Sequence, residues 1–159
     1  MESNYLVFWP LYLLSFFALT ILAIPSREYK KYLIYGIVFG GIISTLSIII
    51  IGNLFGVFTY HAGSLTALGI PAPVPLAFIF TWMLFFYFLP SRRLFVILYT
   101  VFWVGLSVML GVLLQNFGYF TYDVGTVSGV IIQTLVFGAW FFFSVWYFMR
   151  DRERNSNNV

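Results

Sequence analysis

The chain has no cysteine, one histidine and very little charge: eight Lys and Arg and five Asp and Glu among 159 residues. Without cysteine there are no disulfides, thiolate metal ligands or cysteine nucleophiles. A single histidine excludes a multi-histidine metal site within one chain. Charged residues make up 8% of the sequence and hydrophobic ones 62%, against about 25% and 45–50% in soluble domains, so lipid is the expected solvent. No acidic or basic residue falls in the middle of an apolar stretch, which argues against an ion-coupled transporter. Ser64, His61 and Asp123 formally provide a Ser-His-Asp set, but nothing around Ser64 resembles a nucleophile elbow. A Gly-rich phosphate loop and a zinc-protease helix motif are also absent, and no cofactor or metal is expected.

Five apolar segments are present, at about 5–24, 32–52, 73–90, 94–114 and 127–149. About 20 helical residues cross a hydrocarbon core, and in lipid the backbone must satisfy its own hydrogen bonds, so each is expected to be a transmembrane helix. Runs such as 47–51 (SIIII) and 140–146 (WFFFSVW) are too continuous for a barrel strand. The first segment starts without a cation and carries Glu2, so it reads as a retained helix, with Pro10 in its first turns. The expected domain is a single transmembrane unit over 1–150, followed by a polar cytoplasmic tail over 151–159.

All eight cations fall in three places: Arg27, Lys30 and Lys31; Arg92 and Arg93; Arg150, Arg152 and Arg154. With five spans these share one side, and the positive-inside rule makes that side cytoplasmic in the cell membrane, with N-out and C-in. Short cationic clusters between apolar segments explain the net charge of +3 and do not point to nucleic acid.

One stretch occurs twice. Residues 55–63 read FGVFTYHAG and residues 117–125 read FGYFTYDVG, at an offset of 62. The expected fold is therefore all-α: a leading helix plus two repeated helical hairpins in a parallel repeat. Gly36, Gly40 and Ser44, with Gly41 beside them, form a small-residue face expected to pack inside the protein; Gly105, Gly111, Gly138 and Ala139 are expected to act similarly. Tyr5, Trp9, Tyr32, Tyr60 and Tyr147 fit an interfacial aromatic belt.

The two copies differ at one chemically active position, His61 against Asp123, which are the acid/base candidates. Asn53, Tyr60, Asn116 and Tyr122 join them as ligand-binding candidates, and Gln115 lies beside Asn116. Gly56, Gly63, Gly118 and Gly125 are expected to supply unusual backbone angles. The plainer reading of FGxFTYxxG is a turn, with Gly bending the chain and aromatic residues anchoring it.

The stretch 56–82 (GVFTYHAGSLTALGIPAPVPLAFIFTW), with Phe58-Thr59-Tyr60, Gly69, Pro71, Pro73 and Pro75 before Phe78 to Trp82, resembles the recurring unit of membrane-embedded lycopene cyclases and carotenoid hydratases. Those units carry acidic candidate catalytic residues just after the proline, where this chain has Val74, Pro75 and Leu76. Size, span number and the turn 118–125 (GYFTYDVG) are similar to small uncharacterised multi-span membrane proteins of spore-forming Firmicutes. That resemblance implies a fold and a cell-membrane location. The leading functional expectation is a protein that binds a lipid-like ligand or a membrane partner through its outer loops. Membrane lipids, a partner protein or a second copy in a homodimer are the candidate partners. The alternatives are an enzyme acting on an isoprenoid or lipid at the outer interface, and a permeation pathway for small solutes.

Overall fold

The structure is a computed structural model describing residues 2–156, with side chains over 5–153. It is mostly helical. Five helices, α1 (Glu2–Ala23), α2 (Ser26–Leu54), α3 (Pro73–Tyr87), α4 (Arg93–Asn116) and α5 (Thr126–Ser156), are joined by short strands at one end of the bundle. Four helices, all but α3, are long and apolar enough to cross a membrane.

The 15 residues of α3 rise only about 22 Å, short of a hydrocarbon core of about 30 Å. The helix ends at Tyr87 where the sequence predicts a span to residue 90, because Leu89-Pro90-Ser91 breaks it. It is nevertheless the centre of the bundle: Ala77, Met83, Phe85 and Phe86 are almost completely buried. The other long helices bear the exposed apolar surface, including Leu22, Leu46, Phe102 and Leu135.

The Gly36/Gly40/Ser44 face of α2 packs against α3. A methyl on Gly36 would lie 2.6 Å from the Ile79 carbonyl oxygen, one on Gly40 would strike the Phe78 carbonyl, and Trp82 Nε1 donates to Ser44 Oγ at 3.2 Å. The helix widens into π turns over Gly36–Ile43 and Ile49–Leu54. Gly105 and Gly138, expected to make similar contacts, face open space, since neither lies opposite a neighbouring backbone.

Two of the expected helix ends move. Pro10 lies more than two turns inside α1, so the Leu6 carbonyl lacks its helical partner. The last helix runs to Ser156, through the segment 151–156 expected as a separate polar tail; Tyr35 donates a hydrogen bond to Asp151 there. Residues 157–159 of that tail, and the side chains of Glu2 and Arg154, lie outside the described part.

Four short strands complete the fold: β1 (Phe58–Tyr60), β2 (Thr66–Ala67), β3 (Ile70–Pro71) and β4 (Phe120–Tyr122). β2 and β3 form a small hairpin inside the first loop. β1 and β4 are the two copies of the repeated FTY sequence, and they pair with each other, antiparallel, with Thr59 opposite Thr121.

Candidate functional site

Each repeated motif begins as a helix stop. Phe117 ends α4 and Gly118 follows at φ +74°, with Gly118 N–H on the Gln115 carbonyl and Tyr119 N–H on that of Leu114, both at 2.9 Å. This is a Schellman cap, which requires the left-handed conformation that glycine adopts without a steric penalty. Gly56 plays the same part after α2 at φ +60°. Gly63 and Gly125, the final glycines of the motifs, also have positive φ. Between these bends lie β-branched and aromatic residues, which favour extended backbone.

Pairing of β1 with β4 continues one step beyond each strand. His61 N–H bonds the Tyr119 carbonyl at 2.9 Å, and Asp123 N–H bonds that of Val57 at 3.0 Å. Alternation along the strands places Thr59, His61, Thr121 and Asp123 on one face of the ribbon and Phe58, Tyr60, Phe120 and Tyr122 on the other. The first face is partly or fully exposed. Its polar groups bond across the ribbon: Thr59 Oγ1 donates to Asp123 Oδ2 at 2.6 Å, and His61 Nε2 lies 2.8 Å from Thr121 Oγ1. His61 and Asp123 therefore do not pair. Each takes the threonine of the other motif, and four residues of strand, about 13 Å, separate them along the ribbon.

The apolar face turns into the bundle. Phe58, Phe120 and Tyr122 are buried, with ring centroids of Phe58 and Phe120 at 5.1 Å and of Tyr60 and Phe120 at 5.0 Å. Tyr122 reaches down between α4 and α5 and donates to Gln133 Oε1, and Gln133 Nε2 donates to the Ser107 carbonyl at 3.2 Å. Gly111 and Gly129 make room for that phenol: a methyl on Gly111 would lie 2.7 Å from its oxygen, and one on Gly129 would overlap the ring. From the other side α1 clamps the ribbon. Trp9 Nε1 donates to the His61 carbonyl at 3.1 Å, and Phe8 stacks on Tyr119 at 4.0 Å between centroids. Of the residues expected in an interfacial belt, Trp9 and Tyr32 are buried, Trp9 at only 1% exposed, and Tyr60 is half-buried.

The remaining candidates serve the loop. Asn53 Nδ2 donates to the Leu68 carbonyl at 2.6 Å and packs against Gly69, holding the β2–β3 hairpin over the end of α2. Asn116 is exposed at the last position of α4, and its neighbour Gln115 donates to Thr126 Oγ1 at 2.9 Å.

Beneath the ribbon is a cavity of about 200 Å³ that the sequence does not reveal. Tyr60 and Phe120 roof it, Trp9 and Tyr12 of α1 form one wall, Phe78 and Thr81 of α3 form the back, and Ser107, Gln133 and Phe137 close the far side. Met109 and Leu113 also line it, yet they are 60% and 45% exposed on the flank of the bundle, so the cavity opens sideways at α4. Burial, and then the neighbouring phenols of Tyr12 and Tyr122, push the Tyr60 phenol well above its ordinary pKa, so it stays neutral and able to donate. One sequence signal pointed this way: Gln133 is the lone amide deep in the last apolar segment, and such a group in lipid must find a partner inside the protein.

No protein-family model matches this chain, and neither does any curated protein or solved structure.

Proposed function

We propose that this is a five-span protein of the cell membrane that binds a lipid-like molecule in the cavity beneath its outer ribbon. The observation that carries this reading is the cavity itself, an apolar-walled space with a few inward polar groups that opens to the flank of a bundle covered in exposed Leu, Ile and Phe. A binding site opening in that direction takes its ligand from the bilayer. In this reading the ribbon is a lid held from both sides, by Trp9 of α1 and by Tyr122 on Gln133.

The orientation follows from charge. Arg27, Lys30 and Lys31 start α2, Arg92 and Arg93 precede and open α4, and Arg150 and Arg152 lie near the end of α5. Chain direction puts these opposite the ribbon, so the ribbon faces out, with N-out and C-in. The short α3 counts as the fifth span because it joins the ribbon end to the basic end. The pairing about Thr59 and Thr121 supports the parallel repeat: two equivalent turns meeting at a local two-fold axis are what two copies of a helical hairpin related along the membrane normal produce.

The test is mass spectrometry of apolar molecules that co-purify in mild detergent. The wild type is expected to retain a defined compound. Ser107→Phe, which puts a ring into the cavity, is expected to lose it while remaining folded. Bulk phospholipid alone in both proteins would refute the assignment.

A further inference from the structure

The cavity has donors with nothing to bond. Tyr12 and Tyr60 line it, each half-buried, yet among the described residues neither phenol oxygen has a hydrogen-bond partner. Among the described residues, Trp103 Nε1 in the same lining is likewise buried without a partner, and the remaining polar groups are engaged. Thr81 donates to the Ala77 carbonyl at 2.8 Å, Ser107 to that of Trp103 at 2.9 Å, and Gln133 is held between Tyr122 and the Ser107 backbone. Each phenol has one O–H to place, and leaving it unbonded in an apolar space costs free energy, so the partner these donors lack is an acceptor. Among the described residues no Asp, Glu, Lys, Arg or His lines the space, so a charged head would be stripped of water without compensation. The volume is somewhat larger than the roughly 150 Å³ that accommodates benzene, which sets the head at about one ring.

Resting on the reading of this cavity as a ligand site, we infer that its ligand is an uncharged amphiphile with a ring-sized head bearing a carbonyl oxygen. That oxygen accepts hydrogen bonds from Tyr12 and Tyr60, and an apolar tail leaves past Met109 and Leu113 into the bilayer. A cyclic ketone or a quinone on a hydrocarbon tail has this chemistry; a phospholipid, with a large charged head, does not.

The test uses the full-length protein in detergent and its own tryptophans, since Trp9 and Trp103 line the cavity and bromine quenches their fluorescence. The probes are a cyclohexanone with a brominated alkyl tail, the cyclohexane with the same tail, and phosphatidylcholine with brominated acyl chains. The ketone is expected to half-saturate quenching at a mole fraction about three- to tenfold below that of the cyclohexane, the range of one net hydrogen bond. Tyr12→Phe and Tyr60→Phe are expected to raise the ketone value to that of the cyclohexane and leave the cyclohexane value unchanged. Equal half-saturation by ketone and cyclohexane in the wild type would overturn the acceptor inference while leaving a ligand site standing. Half-saturation by brominated phosphatidylcholine at a mole fraction no higher than that of the ketone would overturn the uncharged, ring-sized head. If neither ring probe quenches the wild type more than Ser107→Phe, the underlying ligand-site reading fails, and this inference with it.

Discussion

At the scale of single residues, the two repeated motifs use the same side chains for different ends. Tyr60 and Tyr122 are equivalent in sequence, yet Tyr122 bonds Gln133, whereas the Tyr60 phenol at the roof of the cavity has no hydrogen-bond partner among the described residues. Tyr122→Phe leaves the buried Gln133 oxygen without its donor and is expected to cost about 1 kcal/mol, read as a lower thermal midpoint in detergent. Tyr60→Phe deletes an O–H that bonds nothing among the described residues, so it is expected to leave that midpoint within error or raise it. Gly129→Ala drives a methyl into the Tyr122 ring and is expected to cost about 1–3 kcal/mol. Gly138→Ala meets open space in a helix and is expected to be neutral or to stabilise by up to about 1 kcal/mol. Much of this scale was readable from spacing: Gly36, Gly40 and Ser44 lie one turn apart, and that periodicity alone defines a packing face. The partner of His61 was not readable. Equivalence in a repeat suggests that His61 and Asp123 meet, whereas antiparallel pairing brings each against the other copy's threonine.

At the scale of elements, the decisive unit is the β1–β4 ribbon. A two-stranded ribbon is marginal by itself, and this one depends on the helices beneath and beside it. The sequence shows two similar turns but not that they form one sheet, because pairing register is a contact between residues 62 apart. The absence of cysteine allows a clean test. Thr59→Cys with Thr121→Cys places sulfurs on directly opposed residues, whose Cα separation of about 5.5 Å suits a disulfide. Mild oxidation is expected to produce an intramolecular cross-link, seen as protection of both thiols from alkylation. The pair Thr59→Cys and Tyr119→Cys is diagonal, at about 7–8 Å, and is expected to cross-link poorly. Equal yields in both pairs would contradict the register. The short α3 is the other element that hydropathy misjudged: its apolar segment continues past Tyr87, but Pro90 breaks the helix first.

At the scale of the whole molecule, a basic end lies opposite a ribbon end, with the cavity just below the ribbon. Single cysteines can report this in intact cells. Ser64→Cys, exposed in the loop that follows β1, is expected to react with a membrane-impermeant maleimide, and Ser91→Cys, beside Arg92, only after permeabilisation. The reverse labelling would invert the topology. Helical membrane character and the small-residue face were legible because composition and period encode them; the cavity was not, since it arises where α1, α3, α4 and α5 fail to fill space together. The most direct test of the central claim is diffraction at the bromine absorption edge from crystals grown with a bromoalkane. The account predicts an anomalous peak inside the cavity, beneath Tyr60 and beside Tyr12, absent in Ser107→Phe. Bromine confined to the outer surface of the bundle, with the cavity empty in the wild type, would contradict it.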